Sequence, residues 1–140
     1  MNTKKAAIAL FQSLQNHAKA QKYHLSTNMC PAHRLNVLEE IKKRLQDKKP
    51  IICVSTQLIE AGVDIDFGSV IRFLAGLDSI AQAAGRCNRN GARSQPGRVF
   101  IINPKEENLD SLKDIKISRD KAERVLDEFK TDPDQFDGDI

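Results

Sequence analysis

Apolar residues are spaced in two different ways along the chain, and the two spacings alternate. Near the beginning they recur every three or four positions, which predicts a helix from about Lys4 to Gln21 with Thr3 as its cap. Between such stretches lie short β-branched runs bounded by polar or turn-forming residues, which predict strands. Further helices are predicted over about 31–45, 78–88 and 109–129, and strands over 23–27, 51–55, 69–75 and 97–103.

This order of elements predicts the fold class. Strands that alternate with helices and are apolar throughout are typical of an α/β domain with a mostly parallel sheet. A chain of 140 residues suits one such domain. Functional residues of these domains gather in loops beyond the carboxyl ends of the strands. We therefore single out the loop after Ser55 and the loop before the helix that contains Gln82.

Charge is distributed unevenly between two parts of the chain. Residues 1–105 contain 16 Lys and Arg against 7 Asp and Glu, a net +9, whereas residues 106–140 contain 6 against 12, a net −6. We expect residues 1–105 to form the functional domain and residues 106–140 to form an acidic helix with a frayed tail. The basic part favours a polyanionic partner, with a merely solvated basic surface as the alternative.

The helix predicted over 78–88 carries the most specific chemistry. At 100° per residue its small apolar side chains fall on one side, and Gln82, Arg86 and Arg89 fall together on the other. No Asp or Glu occurs within 79–104. Two guanidinium groups that lie close together repel each other unless an anion separates them, and each offers a planar fork of donors suited to phosphate. The pattern predicts phosphate binding, with simple solvation of the arginines as the alternative.

The cysteines and the hydropathy favour an intracellular protein. Cys53 and Cys87 lie at apolar positions and are predicted to be buried thiols. Cys30 and His33 have a C-x-x-H spacing, but no second ligand pair follows, so no metal site is predicted. No apolar run reaches the roughly 20 residues that span a bilayer, and no signal peptide precedes the first helix. We expect a cytoplasmic location.

Four segments, in order, resemble known helicase motifs. The segment "QAAGRCNRNG" (82–91) resembles motif VI of superfamily 2 helicases, Q-x-x-G-R-x-x-R, and "VSTQLIEAGVDIDF" (54–67) resembles motif V. The segments "NTKKA" (2–6) and "LSTNMCPAHR" (25–34) resemble the second RecA-like domain of the CRISPR-associated helicase-nuclease of type I systems. The order and number of the matches make this resemblance specific.

The resemblance covers about residues 2–104 and implies the architecture of the domain. We expect a single RecA-like domain with three layers, α/β/α, around a mostly parallel sheet. In the resembled domain a strand precedes the segment that matches residues 2–6. We therefore expect this sheet to lack its first strand, which would leave an exposed edge.

The resemblance also implies a nucleotide site. Arg89 matches the arginine finger that reaches the γ-phosphate of ATP held by another lobe, and Arg86 matches a second phosphate-contacting arginine. Gln82 matches the polar residue that lines the same cleft, and Gly62 and Asp64 match the G-x-D of motif V beside the nucleotide. A turn glycine and a salt-bridge aspartate are the alternatives at the last two positions.

Contacts with single-stranded DNA are implied for two segments. One follows a buried strand, where N–H and hydroxyl groups can hold a phosphate, and the other precedes a helix. The residues are Ser55, Thr56 and Gln57 in the first segment and Thr27, His33 and Arg34 in the second. A helix cap is the alternative role for Ser55 and Thr56, and an ordinary surface position is the alternative for His33.

Taken with the resemblance, the sequence predicts one lobe of an ATP-dependent DNA helicase or translocase acting in CRISPR interference. It contains no phosphate loop, no metal-holding D-E-x-H/D strand and no His-Asp nuclease constellation. We expect an N-terminal RecA-like lobe to share the ATP and to hold Mg²⁺, so the chain alone should not hydrolyse ATP. Expected partners are single-stranded DNA, that lobe, a nuclease domain and the CRISPR surveillance complex, and no membrane. The alternatives are a lobe of another superfamily 2 helicase, for DNA repair or restriction, and a standalone nucleic-acid-binding module without ATP turnover.

Overall fold

The computed structural model describes residues 1–16, 19–56, 65–87, 97–105 and 107–131. Every predicted helix and strand has a counterpart in it, although several boundaries differ. The helices α1 to α4 are Lys4–Ser13, Pro31–Gln46, Leu77–Ala84 and Lys113–Thr131. The strands β1 to β4 are Gln21–Leu25, Ile51–Ser55, Ser69–Phe73 and Arg98–Ile102. A short 3₁₀ turn, Leu14–Asn16, follows α1.

The four strands form two parallel pairs. β1 pairs with β2, and β3 pairs with β4, so the α/β class and the parallel pairing are confirmed. Among the described residues the pairs remain two separate sheets, which differs from the single sheet that the apolar pattern predicts.

The main apolar core lies between the first sheet and α2. Tyr23 and Leu25 point to the same side of β1 and pack against Leu38 and Ile41 of α2, and Ile65 closes the cluster. Ile41 has no exposed surface, as expected for an apolar stripe facing a sheet. The Tyr23 hydroxyl donates a hydrogen bond of 2.6 Å to Glu40 at the rim, so the aromatic ring is buried while its polar end is satisfied.

Three predicted boundaries are corrected by backbone hydrogen bonds. The first helix ends at Ser13 rather than Gln21, because Gln21 already begins β1 and donates its N–H to the Pro50 carbonyl at 3.2 Å. Pairing with β2 likewise places β1 two residues earlier than predicted. The last helix begins at Lys113 rather than 109, because buried Leu109 lies in a turn that precedes it. Pairing between strands outweighed local propensity in the first two cases, and a turn bond from Leu112 N–H to the Leu109 carbonyl, at 2.8 Å, precedes the helix in the third.

The C-terminal helix packs onto the rest of the fold. Leu109, before α4, and Ala122, within α4, are both buried, and α4 contacts α3. The Asn103 side chain, just after β4, donates a hydrogen bond of 2.6 Å to Glu123 on α4. Within the described part of the chain, no helix has the length and apolar character that a membrane span requires.

Candidate nucleic-acid and nucleotide interfaces

The predicted DNA-contacting segments meet at one edge of the first sheet. Leu25 and Ser55 are register partners and are the last residues of β1 and β2. The two strands are parallel, so the chain leaves both of them on the same side. Thr27 is exposed there, and Ser55 and Thr56 are half-buried. The structure therefore brings these three residues to a common carboxyl edge; Gln57 lies outside the described residues.

The turn after β1 is held by local hydrogen bonds. Ser26 accepts from Met29 N–H through its carbonyl at 3.1 Å, and from Asn28 N–H through its hydroxyl at 3.3 Å. The Lys4 ammonium, from the start of α1, donates to the Asn28 side chain at 2.7 Å. This contact brings a cation next to Thr27, and the sequence reasoning did not anticipate it.

The start of α2 adds positive electrostatic character to this edge. Cys30 is the N-cap, and its sulfur accepts from His33 N–H at 3.4 Å, so the C-x-x-H spacing serves helix capping. Pro31 occupies the first turn as predicted, and that turn contains no acidic residue. His33 is exposed and Arg34 is half-buried. The positive end of the helix dipole at this end favours an anion.

The helix that carries Gln82 is shorter than predicted. It ends at Ala84 rather than at residue 88, with Gly85 as the C-cap. The chain then changes to strand-like pairing: the Arg86 carbonyl accepts from Phe67 N–H at 3.0 Å, and Cys87 forms a parallel bridge with Phe67. A carbonyl used in this way cannot continue the helical ladder.

Arg86 therefore lies in a turn, and its direction is not set by helical periodicity from Gln82. The helix itself follows the predicted sidedness: Ala83 is fully buried and Gln82 is exposed. Arg86 is half-buried, and its N–H donates to the Ala83 carbonyl at 3.1 Å. The backbone of Arg86 is thus fixed on both sides. Arg89, Gly62 and Asp64 lie outside the described residues, so the predicted pairing of the two arginines stays a prediction.

The two candidate groups lie at opposite ends of the strands. The loop before α3 follows the carboxyl end of β3, as predicted, but α3 runs back over its 8 residues, about 12 Å, before Arg86 is reached. The Cys87 sulfur, next to Arg86, lies 3.6 Å from the Gly68 carbonyl oxygen and 3.4 Å from the Arg98 carbonyl oxygen, and its S–H can donate to either of them. These carbonyls lie where β3 and β4 begin, so Arg86 belongs to the amino edge.

The three cysteines are free, and their surroundings differ. Cys30 is exposed, whereas Cys53 and Cys87 are half-buried rather than fully buried as predicted. Burial raises the pKa of the Cys53 thiol to about 12. Among the described residues, no group of three His, Cys, Asp or Glu side chains lies close enough together to hold a metal ion.

Parallel strand pairs linked by helices, with a basic carboxyl edge and an anchored arginine at the amino edge, define a RecA-like α/β domain. Solved structures share this fold. The crystal structure of T. fusca Cas3-ATP matches with a TM-score of 0.62 and 21% identity, over 76% of this chain and 14% of that chain. The structure of T. fusca Cas3-ADP matches the same shares with a TM-score of 0.58 and 24% identity.

The chain belongs to the family of the CRISPR-associated nuclease/helicase Cas3, C-terminal, whose model matches residues 1–92. The Cas3 of Methanothermobacter thermautotrophicus is 31% identical over 141 residues, which cover 100% of this chain and 16% of that relative. The Cas3 of Haloferax volcanii is 48% identical over 63 residues, which cover 42% of this chain and 7% of that relative. The chain thus spans only a small part of the curated relatives that it matches.

Proposed function

We propose that this chain is the second RecA-like lobe of an ATP-dependent DNA helicase or translocase that acts in CRISPR interference. The observation that carries the proposal is the register of Leu25 with Ser55, which brings both candidate DNA-contacting segments to one edge. Lys4 lies against this edge through Asn28, and the start of α2 adds the positive end of a helix dipole. Together these groups suit the phosphates of a single strand.

The amino edge is proposed as one wall of an ATP site. Gln82 is exposed on α3, and the Arg86 backbone is held by Phe67 and Ala83. Arg89, Gly62 and Asp64 join this wall through the family resemblance. No acidic residue occurs within 79–104, so the segment that carries the arginines has no negative charge of its own. These donors suit phosphate oxygens, but without a phosphate loop they fit one side of a nucleotide and not the whole of it.

Each part of the wall has a proposed task. ATP would supply the free energy for movement along DNA through cleavage of its terminal phosphate. Arg86 and Arg89 neutralise the negative charge that builds up on that phosphate, and Gln82 orients polar groups beside it. The phosphate loop and Mg²⁺ belong to the N-terminal lobe. A nuclease domain and a CRISPR surveillance complex complete the proposed assembly.

The position of the two edges suggests how they are coupled. β3 ends at the loop Leu74–Gly76, and α3 runs from that loop to the turn at Arg86. Closure of the ATP cleft on Arg86 is therefore transmitted along α3 to this loop. The DNA edge at Ser55 is connected to the same loop, because Met1 contacts Ser55 and Asn2 contacts Leu74. Movement of one edge therefore displaces the other.

A chimera tests the proposal. Residues 1–140 replace the matching 141-residue segment of the M. thermautotrophicus Cas3, and ATP hydrolysis is measured with and without single-stranded DNA. We expect DNA-stimulated hydrolysis that falls about 10³-fold in Arg89→Ala and strongly in Arg86→Ala. Arg124→Ala is the control and should leave hydrolysis unchanged, because Arg124 is an exposed arginine of α4 and does not belong to the proposed wall.

The basic residues 1–105 also favour a second candidate, a nucleic-acid-binding module without ATP turnover. The chimera separates the two. Salt-dependent binding of single-stranded DNA, combined with hydrolysis that is absent or indifferent to Arg89→Ala, would support the module and contradict the motor.

A further inference from the structure

Asn2 is a buried polar residue that joins three separate parts of the fold. Only 9% of its surface is exposed. Its side-chain N–H₂ donates to the Leu74 carbonyl at 2.9 Å and to the Glu107 carboxylate at 2.9 Å, and its side-chain oxygen accepts from Arg72 at 2.7 Å. The amide thereby connects β3, the loop after β3 and the segment before α4.

The backbone around Asn2 extends these connections to the DNA edge. The Met1 nitrogen donates to the Ser55 carbonyl at 3.1 Å, at the end of β2. The Glu107 carboxylate also accepts from the backbone N–H groups of Asn2 at 3.1 Å and Thr3 at 3.0 Å. Thr3 caps α1, which carries Lys4 next to the turn after β1. Residues 1–3 thus tie the first sheet to the second.

The connection depends on the specific chemistry of an amide. Arg72 is partly buried, and this burial lowers its pKa, although the Glu107 and Asp78 carboxylates act in the opposite direction. Among the described residues its buried Nε has no hydrogen-bond partner, so the bond from its Nη1 to Asn2 helps to satisfy a guanidinium that is incompletely paired. Aspartate at position 2 would lose both donors and place a second negative charge beside Glu107. Alanine would remove all three side-chain bonds.

We propose that Asn2 is a positioning residue: its amide fixes residues 1–3 against β3 and Glu107, and so keeps the Met1 nitrogen on the Ser55 carbonyl at the end of β2. The DNA edge thereby keeps a fixed position relative to β3 and α3, which lead to Arg86. This inference rests on the proposed function. β2 and β3 are not paired with each other among the described residues, so the hydrogen bonds of residues 1–3 form a direct polar link between the two sheets. Glu107 also takes part in this link, and it lies after residues 1–92, the part of the chain that the family model matches.

The first measurement uses the 140-residue chain without DNA or ATP. Hydrogen exchange is followed at the first turn of α1 and at residues 74–77 in Asn2→Ala, Asn2→Asp and Asn103→Ala. Asn103 is the matched control, because it also donates an amide to a glutamate but joins β4 to α4. We expect faster exchange at both places in the two Asn2 variants and unchanged exchange in the control. Exchange in Asn2→Ala that equals the control would overturn the proposal.

The second measurement uses the chimera. The ratio of ATP hydrolysis with single-stranded DNA to hydrolysis without it should fall about fivefold or more in Asn2→Ala, which is the range of ordinary coupling between sites. Asn103→Ala should keep the ratio. An equal fall of both rates in Asn2→Ala would mean a merely structural role and would overturn the proposal. A chimera in which even the parent form does not respond to DNA contradicts the proposed function, and the exchange experiment then decides whether Asn2 links the sheets.

Discussion

Leu25 and Ser55 face each other as register partners at the last positions of two parallel strands. This single relationship places the turn 26–30 and the residue Thr56 side by side, although some 25 residues separate them in the chain. Neither segment is basic enough to attract DNA by itself. Joined with Lys4 and the start of α2, they bring hydroxyl groups, cations and the positive end of a helix dipole to one edge.

Removing a cation from this edge should weaken DNA binding in a salt-dependent way. Each phosphate contact to a single strand contributes about 0.7 to the slope of log affinity against log salt concentration. We expect Arg34→Ala to lower the affinity for a single-stranded oligonucleotide and to reduce this slope by about that amount. The measurement is fluorescence anisotropy at several salt concentrations.

Arg44→Ala supplies the control for that experiment. Arg44 lies near the other end of the same helix and forms an ion pair with Glu40 at 3.6 Å, away from the DNA edge. The slope should therefore stay at the wild-type value. Equal slopes for Arg34→Ala, Arg44→Ala and the unmodified chain would contradict the assignment of the edge.

Much of the fold could be predicted because local signals agreed with tertiary structure. The β-branched run at 51–55 and the cap at Thr3 were predicted correctly to the residue. The end of α3 could not be predicted, because Arg86 stops the helix by pairing with Phe67, which lies 19 residues earlier. Periodicity carries no information about such a partner.

Part of the candidate site could also be predicted from local signals in the sequence. The hydroxyl residues after β2 follow from the rule that loops at carboxyl ends of strands carry function. Asn2 and Glu107 were not found, since they act together across 105 positions and neither belongs to a local pattern. The available signal at Asn2 was that this polar residue directly precedes Thr3, the cap of α1.

Loss of the helix cap at Thr3 should lower stability measurably. The Thr3 hydroxyl accepts from Ala6 N–H at 3.2 Å, and removing such a cap costs about 1 kcal/mol. We expect Thr3→Ala to lower the urea midpoint without a change of the slope with urea. Ser13→Ala, at the other end of α1, is the control: its exposed hydroxyl bonds only within the helix, and alanine favours helix. A midpoint in Thr3→Ala as high as in Ser13→Ala would show that the cap does not contribute.

The three thiols should react with iodoacetamide in a defined order. Thiolate is the reactive form, and a thiol with a pKa of about 12 is ionised only to about 10⁻⁴ at pH 8. Exposed Cys30 should therefore be labelled first and Cys53 last, with the Cys53 rate still rising above pH 10. Peptide mass spectrometry of a labelling time course checks this order. Early labelling of Cys53 would contradict its burial.

The same thiol should make stability depend on alkaline pH. The pKa of Cys53 rises from its ordinary value of 9.0 to about 12 on folding, so the unfolded chain releases its proton first as the pH rises. The stabilising contribution is complete below pH 9 and is lost as the pH rises towards 12. Urea unfolding of the chain and of Cys53→Ala at several pH values measures it. The free energy of unfolding should fall less steeply with pH in Cys53→Ala; parallel curves would refute the assignment.

Gly97 and Gly85 lie on either side of the Arg86 turn, and alanine should be tolerated at Gly85 but not at Gly97. A Cβ at Gly97 would lie 2.4 Å from the Cys87 sulfur and 3.0 Å from its carbonyl carbon, whereas a Cβ at Gly85 would meet only the Ala81 and Gln82 carbonyl oxygens at 3.6 Å. The Gly85 backbone is already right-handed helical, so alanine fits there. We expect Gly97→Ala to destabilise the chain by about 1–3 kcal/mol and Gly85→Ala to be neutral or slightly stabilising.

The double variant Gly97→Ala with Cys87→Ala identifies the cause of the effect. Removing the sulfur relieves the shorter contact but leaves the carbonyl carbon in place, so the double variant should recover only part of the lost stability. Cys87 pairs with Phe67 and immediately follows Arg86, so displacement of Cys87 should also reduce DNA-stimulated ATP hydrolysis by the chimera. If Gly97→Ala lowers stability and leaves hydrolysis intact, the position of Cys87 matters for folding alone, and the Arg86 turn is not part of the nucleotide site.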